Sequence, residues 1–138
     1  MTLHPDFPVV AGDCQLTEDW ALTLPVEMNR RLEDQDLVFW RPGFTVWLSL
    51  WNNDHDASIE ERLEWFQTDT SAEAFDAVVT ADATLARYTY RLNEARDEDL
   101  VYALYGFVLK DAGHLQIAVY ADDEGEVAAA NLLVASVR

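Results

Sequence analysis

The chain has 138 residues, half of them hydrophobic and 12% aromatic. That suits one domain over 1–138 with a core that needs no disulfide or metal staple, and it excludes overall disorder. The 26 acidic side chains against 9 basic ones give a net charge of −17 with the histidines neutral. Such a field repels nucleic acid and anionic lipid and favours either plain solubility or a basic protein partner.

Residues 1–16 hold Pro5, Pro8 and Gly12 and read as an irregular arm, packed through Leu3, Phe7, Val9 and Val10. Nothing there resembles a secretory signal, because a basic segment and a long apolar core are both missing. No stretch approaches the roughly 18 apolar residues of a membrane span. Cys14 is the one cysteine, so no intrachain disulfide forms and a reducing, cytoplasmic setting is expected. In Asp19–Leu24, Trp20, Leu22 and Leu24 alternate with smaller residues, which predicts a first strand stopped by Pro25. Asn29–Leu32 and Leu37–Arg41 flank a polar turn, Glu33 to Asp36, and predict a hairpin. Pro42 and Gly43 predict a second tight turn.

Phe44–Trp51, FTVWLSLW, is the strand around which the chain is organised. Its even positions, Phe44, Val46, Leu48 and Leu50, are all apolar. Its odd positions, Thr45, Trp47, Ser49 and Trp51, alternate small polar residues with tryptophan. Successive strand residues point to opposite faces, so this strand needs cover on both sides and belongs inside a sheet. Ser58 with Glu61 fits a capping box, and Ile59, Leu63 and Phe66 share one face, which predicts a helix over Ser58–Gln67. Ser71–Val78 reads as a second short helix with Ala74, Phe75 and Val78 inward. Thr84–Leu92, Val101–Leu109 and the run from Leu115 to Tyr120 read as strands, the middle one central. Lys110 to Gly113 turns the chain between the last two. Asp123 with Glu126 caps a final helix over Val127–Val134.

These elements predict an α+β fold. A sheet of about six mainly antiparallel strands is covered by helices, in the order three strands, helix, three strands, helix. Three stretches resemble the PsbP-like superfamily, which includes a photosystem extrinsic subunit, a Ran-binding import factor and many bacterial proteins. They are the Leu24-Pro25 stop, the strand Phe44–Trp51 running into the Ser58 helix, and the ending from Tyr120-Ala121 through AAANLLVASVR. The resemblance implies an α/β/α sandwich over roughly residues 17–138. It implies no activity, because functions on such a fold differ widely.

The chemistry-bearing residues form no catalytic set. Asn52–Asp56, NNDHD, offers carboxylates and an imidazole but lacks the glycine and terminal glutamate of a calcium loop, and reads as a solvated loop before a helix. His4, His55 and His114 are scattered. Cys14 stands beside Asp13 with no adjacent base, which disfavours a thiolate. The serines match no nucleophile elbow, and no glycine-rich phosphate loop occurs. No metal, cofactor or catalysis is expected.

Two groups remain as binding candidates. Arg30, Arg31 and Arg41 meet across the predicted hairpin if the turn brings them together, offering a docking spot for a carboxylate or phosphate. Pairing with Glu27, Glu33, Asp34 and Asp36 is the plainer use. Trp40, Trp47, Trp51 and Trp65 crowd into one region, where tryptophan serves either as a binding anchor or as core. The function expected is a non-catalytic interaction protein, an adaptor, inhibitor or immunity-type partner of a basic protein. The alternative is a small-ligand domain with an aromatic pocket near Trp40, Trp47 and the tyrosines of the sheet.

Overall fold

The computed structural model describes residues 2–138. Eight strands appear: β1 (Val9–Gln15), β2 (Ala21–Glu33), β3 (Asp36–Arg41), β4 (Phe44–Asn52), β5 (Phe75–Ala81), β6 (Ala86–Arg96), β7 (Asp99–Lys110) and β8 (Gly113–Ala121). Helix α1 (Ile59–Thr68) joins β4 to β5. A 3-10 turn, Glu124–Glu126, leads into the final helix α2 (Val127–Ser136). All strands lie in one antiparallel sheet, ordered β1-β2-β3-β4-β8-β7-β6-β5. Each half is a four-stranded meander followed by a helix, and β4 against β8 joins the halves. Both β4 and β7 are therefore interior.

This corrects the α+β expectation of about six strands in a PsbP-like α/β/α sandwich. The sheet has eight strands, and strand takes 54% of the chain against 17% for helix. Two ten-residue helices cannot make the two covering layers of such a sandwich. One added strand, β1, comes from the segment read as an arm. Its Gly12, at φ 71°, takes the left-handed torsion at a bulge where the register jumps from Val10↔Met28 to Gly12↔Leu24. The other, β5, replaces the predicted Ser71–Val78 helix. Val78, Val79 and Thr80 pair with β6, and that ladder overrides the helical propensity of the alanines around them. Pro25 does not stop the first strand either. It falls inside the same bulge of β2, where no ladder bond needs its missing N–H.

The remaining boundaries follow from the residues named above. Asp34, at φ 55°, turns β2 into β3, and Gly43, at φ 77°, turns β3 into β4. Ser58 Oγ accepts from the Glu61 N–H at 3.1 Å and caps α1. The two helices pack on opposite faces of the sheet. On the even face of β4, Phe44, Val46 and Leu48 pack with Leu115, Ile117 and Val119 of β8 under Ala130, Leu133 and Val134 of α2. The first half of β2 curls over this core. Ala21 exchanges backbone hydrogen bonds with Arg138, at 2.7 and 2.9 Å, and the Thr23 N–H donates to Ser136 Oγ at 2.9 Å. On the odd face, Ile59, Leu63 and Phe66 of α1 pack on Ala86, Tyr88, Phe107 and Leu109.

Candidate functional site

The pleat decides which side chains share the odd face. Opposite Thr45, Trp47, Ser49 and Trp51 stand Tyr120, Ala118, Gln116 and His114 of β8. Next come Ala103, Tyr105 and Phe107 of β7, then Tyr88 and Tyr90 of β6. Helix α1 covers only the end of this face at His114, Phe107 and Tyr88. Its Phe66 ring stacks on Phe107 at 4.4 Å and meets His114 edge-on at 4.8 Å. The helix therefore docks on β6 and β7 and leaves β4 uncovered. Trp51 is 56% exposed, Gln116 is exposed in mid-sheet, and Trp47 is half-buried. Trp51 Nε1 donates to Ser49 Oγ at 3.3 Å, which holds its ring along the strand.

At the other end, Trp40 and Arg31 share the same face. The Arg31 guanidinium lies 4.6 Å from the Trp40 ring and 5.8 Å from that of Trp47, and it bonds Glu33 at 2.8 Å. Phe7 of the N-terminal segment packs edge-on against Trp40 at 5.0 Å. That segment is tied down by Asn29, which is fully buried: its Oδ1 accepts from the His4 N–H at 2.7 Å, and its Nδ2 donates to the His4 carbonyl at 3.0 Å and the Phe7 carbonyl at 3.2 Å. The structure thus brings Trp40, Trp47 and Arg31 together, with Trp51 further along the strand. Arg30 and Arg41 do not join them. Arg30 pairs with Phe39 and Arg41 with Phe44, so both project to the even face. There Arg41 bonds Glu126 at 2.7 Å and lies over the Phe44 ring at 4.4 Å. Among the acids expected to pair with the three arginines, only Glu33 does so, with Arg31.

Three tyrosines of the site lay in predicted strands, but nothing in the sequence placed them beside β4. Tyr105 OH donates to Glu94 Oε1 at 3.0 Å and meets Tyr120 OH at 3.2 Å. The Arg96 guanidinium stands 4.9 Å from the Tyr120 ring. Burial, and then the bond to Tyr120, push the Tyr105 phenol far above its ordinary range. Burial likewise raises Tyr90, aided by Tyr88 and Asp69. Both phenols are neutral at physiological pH and act as hydrogen-bonding groups. Acids stand at the margins: Glu33 and Glu94 on the strands, Glu64 on α1 and Asp69 at its C-terminal cap. An open hollow of about 560 Å³ lies at the end of α1, lined by Glu64, Trp65, Phe66, Thr68 and Asp69. It does not include Trp40 or Trp47.

The NNDHD loop is a structural brace. Asn53 Nδ2 donates to the carbonyls of Ala57 at 2.8 Å and Asp111 at 3.0 Å, and its Oδ1 accepts from the Ala57 N–H at 3.1 Å. Among the described residues, no group of three or more His, Cys, Asp or Glu side chains is placed to hold a metal. Cys14 is half-buried, and burial raises its thiol, which keeps it protonated.

His114 gives the site a pH dependence. Burial, and then the Arg62 charge, lower its pKa from 6.5 to about 4. The unfolded chain binds a proton below pH 6.5 that the folded chain refuses until about pH 4. Stability due to His114 is therefore complete above pH 6.5 and is lost as pH falls towards 4. With allowance for partial solvation the loss is about 2–3 kcal/mol. Denaturant unfolding of the wild type and of His114→Phe from pH 7 to 4 should show that difference in slope. The carboxylates titrating in the same window are common to both proteins and cancel.

No helix among the described residues is long and apolar enough to cross a membrane. No protein-family model matches the chain, and no curated protein does either.

Proposed function

We propose that this chain is a non-catalytic interaction protein of the adaptor, inhibitor or immunity type, acting in the cytoplasm, and that it binds a basic protein through the odd face of β4. The observation that carries this reading is the asymmetry of that strand. Its even face is core at Phe44, Val46 and Leu48, at 2% exposure or less, and opens only to 36% at Leu50, whereas Trp51 on the odd face is 56% exposed. Large rings left open on a rigid sheet provide anchors of the kind that dominate binding energy. The net charge of −17 supports a basic partner, because it raises the encounter rate with cations and repels nucleic acid and anionic membranes. Trp47 and Trp51 would hold the complex, and Tyr90, Tyr105 and Gln116 would supply hydrogen bonds around them.

The test is capture from native lysate at about 0.05 M salt, where screening is weak. The wild type should retain proteins of high isoelectric point, and the Trp47→Ala/Trp51→Ala double variant should lose them. The same proteins retained by both would end this reading. A small-ligand reading has one observation in its favour, the hollow beside Trp65 and Phe66. On that reading Trp65→Ala, rather than the double variant, removes binding.

A further inference from the structure

Of the nine basic side chains, all but one have a partner within the molecule. Arg31, Arg41 and Arg138 bond Glu33, Glu126 and Asp13, and Arg91 faces Asp76 at 3.7 Å and Glu124 at 3.5 Å. Arg62 and Arg87 donate to backbone carbonyls, and Arg96 and Lys110 lie over the rings of Tyr120 and Trp20. Arg30 is the exception. Among the described residues its guanidinium makes no ion pair, hydrogen bond or ring contact, and only its backbone N–H is bonded, to the Pro8 carbonyl at 3.0 Å. With 26 acids against 9 bases on the chain, an unpaired cation needs a reason.

Arg30 lines a hollow of about 200 Å³ on the even face, between the end of β1 and β3. Its other lining is apolar: Val10, Cys14 and Leu16 from the first strand and the turn after it, and Leu37 and Phe39 from β3. Val10, Cys14, Leu16 and Leu37 form the half-buried border of the main core. Leu32, opposite Leu37 on the same face, continues the apolar surface into solvent. Gln15 is the remaining polar member, and its Nε2 is already given to the carbonyls of Thr17 at 2.5 Å and Trp20 at 3.3 Å. No carboxylate lines the space. The guanidinium is thus the one charged donor beside an otherwise apolar hollow.

We propose that this hollow binds the anion of a small carboxylic acid with an unbranched apolar tail. The carboxylate sits on the Arg30 guanidinium, which can bond both of its oxygens, and the tail lies against Leu16, Leu37 and Phe39. Size sets the tail: about 200 Å³ holds about seven groups of the volume of a water or a methylene. Inorganic phosphate would use the arginine and leave the apolar lining wet. A polyanion would meet the repulsion of the whole acidic chain, which falls least on an anion of single charge. The site is on the face opposite Trp47 and Trp51, so this inference stands or falls independently of the basic-partner reading.

The experiment is a titration of the full chain with sodium octanoate, whose tail has the expected length, followed by amide chemical shifts near neutral pH. The amides of Val10, Cys14, Leu16 and Leu37 should shift together and saturate, with a dissociation constant of about 1 mM. Arg30→Gln should weaken binding about tenfold, and so should octanamide on the wild type, which keeps the tail and removes the charge. Should Arg30→Gln fail to fold, the comparison of octanoate with octanamide decides. Saturating octanoate should also slow alkylation of Cys14 by N-ethylmaleimide several-fold. The absence of a saturable shift up to about 20 mM, shifts centred on another part of the chain, equal binding of octanamide or of inorganic phosphate, undiminished binding by folded Arg30→Gln, or an unchanged rate at Cys14 would each overturn the proposal.

Discussion

Arg62→Ala should lower unfolding free energy by about 3–5 kcal/mol, a large share of what a domain of this size has to lose. Arg62 is 4% exposed. Its Nε donates to the Ala57 carbonyl at 3.2 Å, Nη1 to that of Gly113 at 3.1 Å and Nη2 to that of Lys110 at 2.5 Å. No carboxylate pairs with it. Backbone carbonyls take all of its hydrogen bonds; burial lowers its pKa, and the nearby Asp111 charge offsets part of that. One side chain thus fastens α1 to the β7–β8 turn. Truncation leaves the Gly113 and Lys110 carbonyls short of a donor at about 1–3 kcal/mol each, and opens a void under the helix. Arg62→Lys keeps the charge, but an ammonium cannot span three carbonyls, so it should recover only part of the loss. Chemical denaturation measures both. A loss under about 1 kcal/mol for Arg62→Ala would show that α1 is held by its apolar face alone.

Gly113→Ala should cost about 2–4 kcal/mol by a different route. A methyl group at this position would sit 2.1 Å from the Trp51 carbonyl oxygen and 3.2 Å from Asn52 Cα. Both are backbone atoms, so relief requires the end of β4 or the head of β8 to move. That displacement disturbs Trp51 and His114, which are cross-strand neighbours. Gly12→Ala is the useful contrast. Nothing lies within 4 Å of its added methyl, but its φ is 71°. It should cost only the left-handed torsion, about 1–2 kcal/mol. Thermal or denaturant unfolding of the pair separates contact from torsion. Equal costs would contradict the close approach at Gly113.

These two residues show what was legible in the sequence and what was not. Gly113 read as part of a turn, whereas the turn residues are Asp111 and Ala112 and the glycine opens β8 because a neighbouring backbone comes too near for a side chain. Arg62 left a signal: it lies three residues after Ile59 and four before Phe66, on the apolar stripe of α1 itself. A charge at such a position must find partners. Strand β4, helix α1 and the turns at Asp34 and Gly43 were readable because alternation, a cap and turn formers coincide there. Strands β1 and β5 were not, since they are edges. Strand β1 is exposed at alternate positions and β5 at every position after Phe75, so neither shows a buried apolar face, and their state is fixed by pairing with β2 and β6. The site was legible on β4, where tryptophans alternate with small polar residues. The tyrosines of β6, β7 and β8 entered it only through strand order, and the same pleat sends Arg30 and Arg41 to the opposite face from Arg31.

The central claim is that α1 leaves the odd face of β4 open. Single-tryptophan variants retaining only Trp47 or only Trp51, with acrylamide quenching of their fluorescence, test it most directly. Trp51 should emit to the red and quench readily, and Trp47 should quench to an intermediate degree. Blue-shifted emission from both, insensitive to acrylamide, would mean that the face is core and would contradict the account.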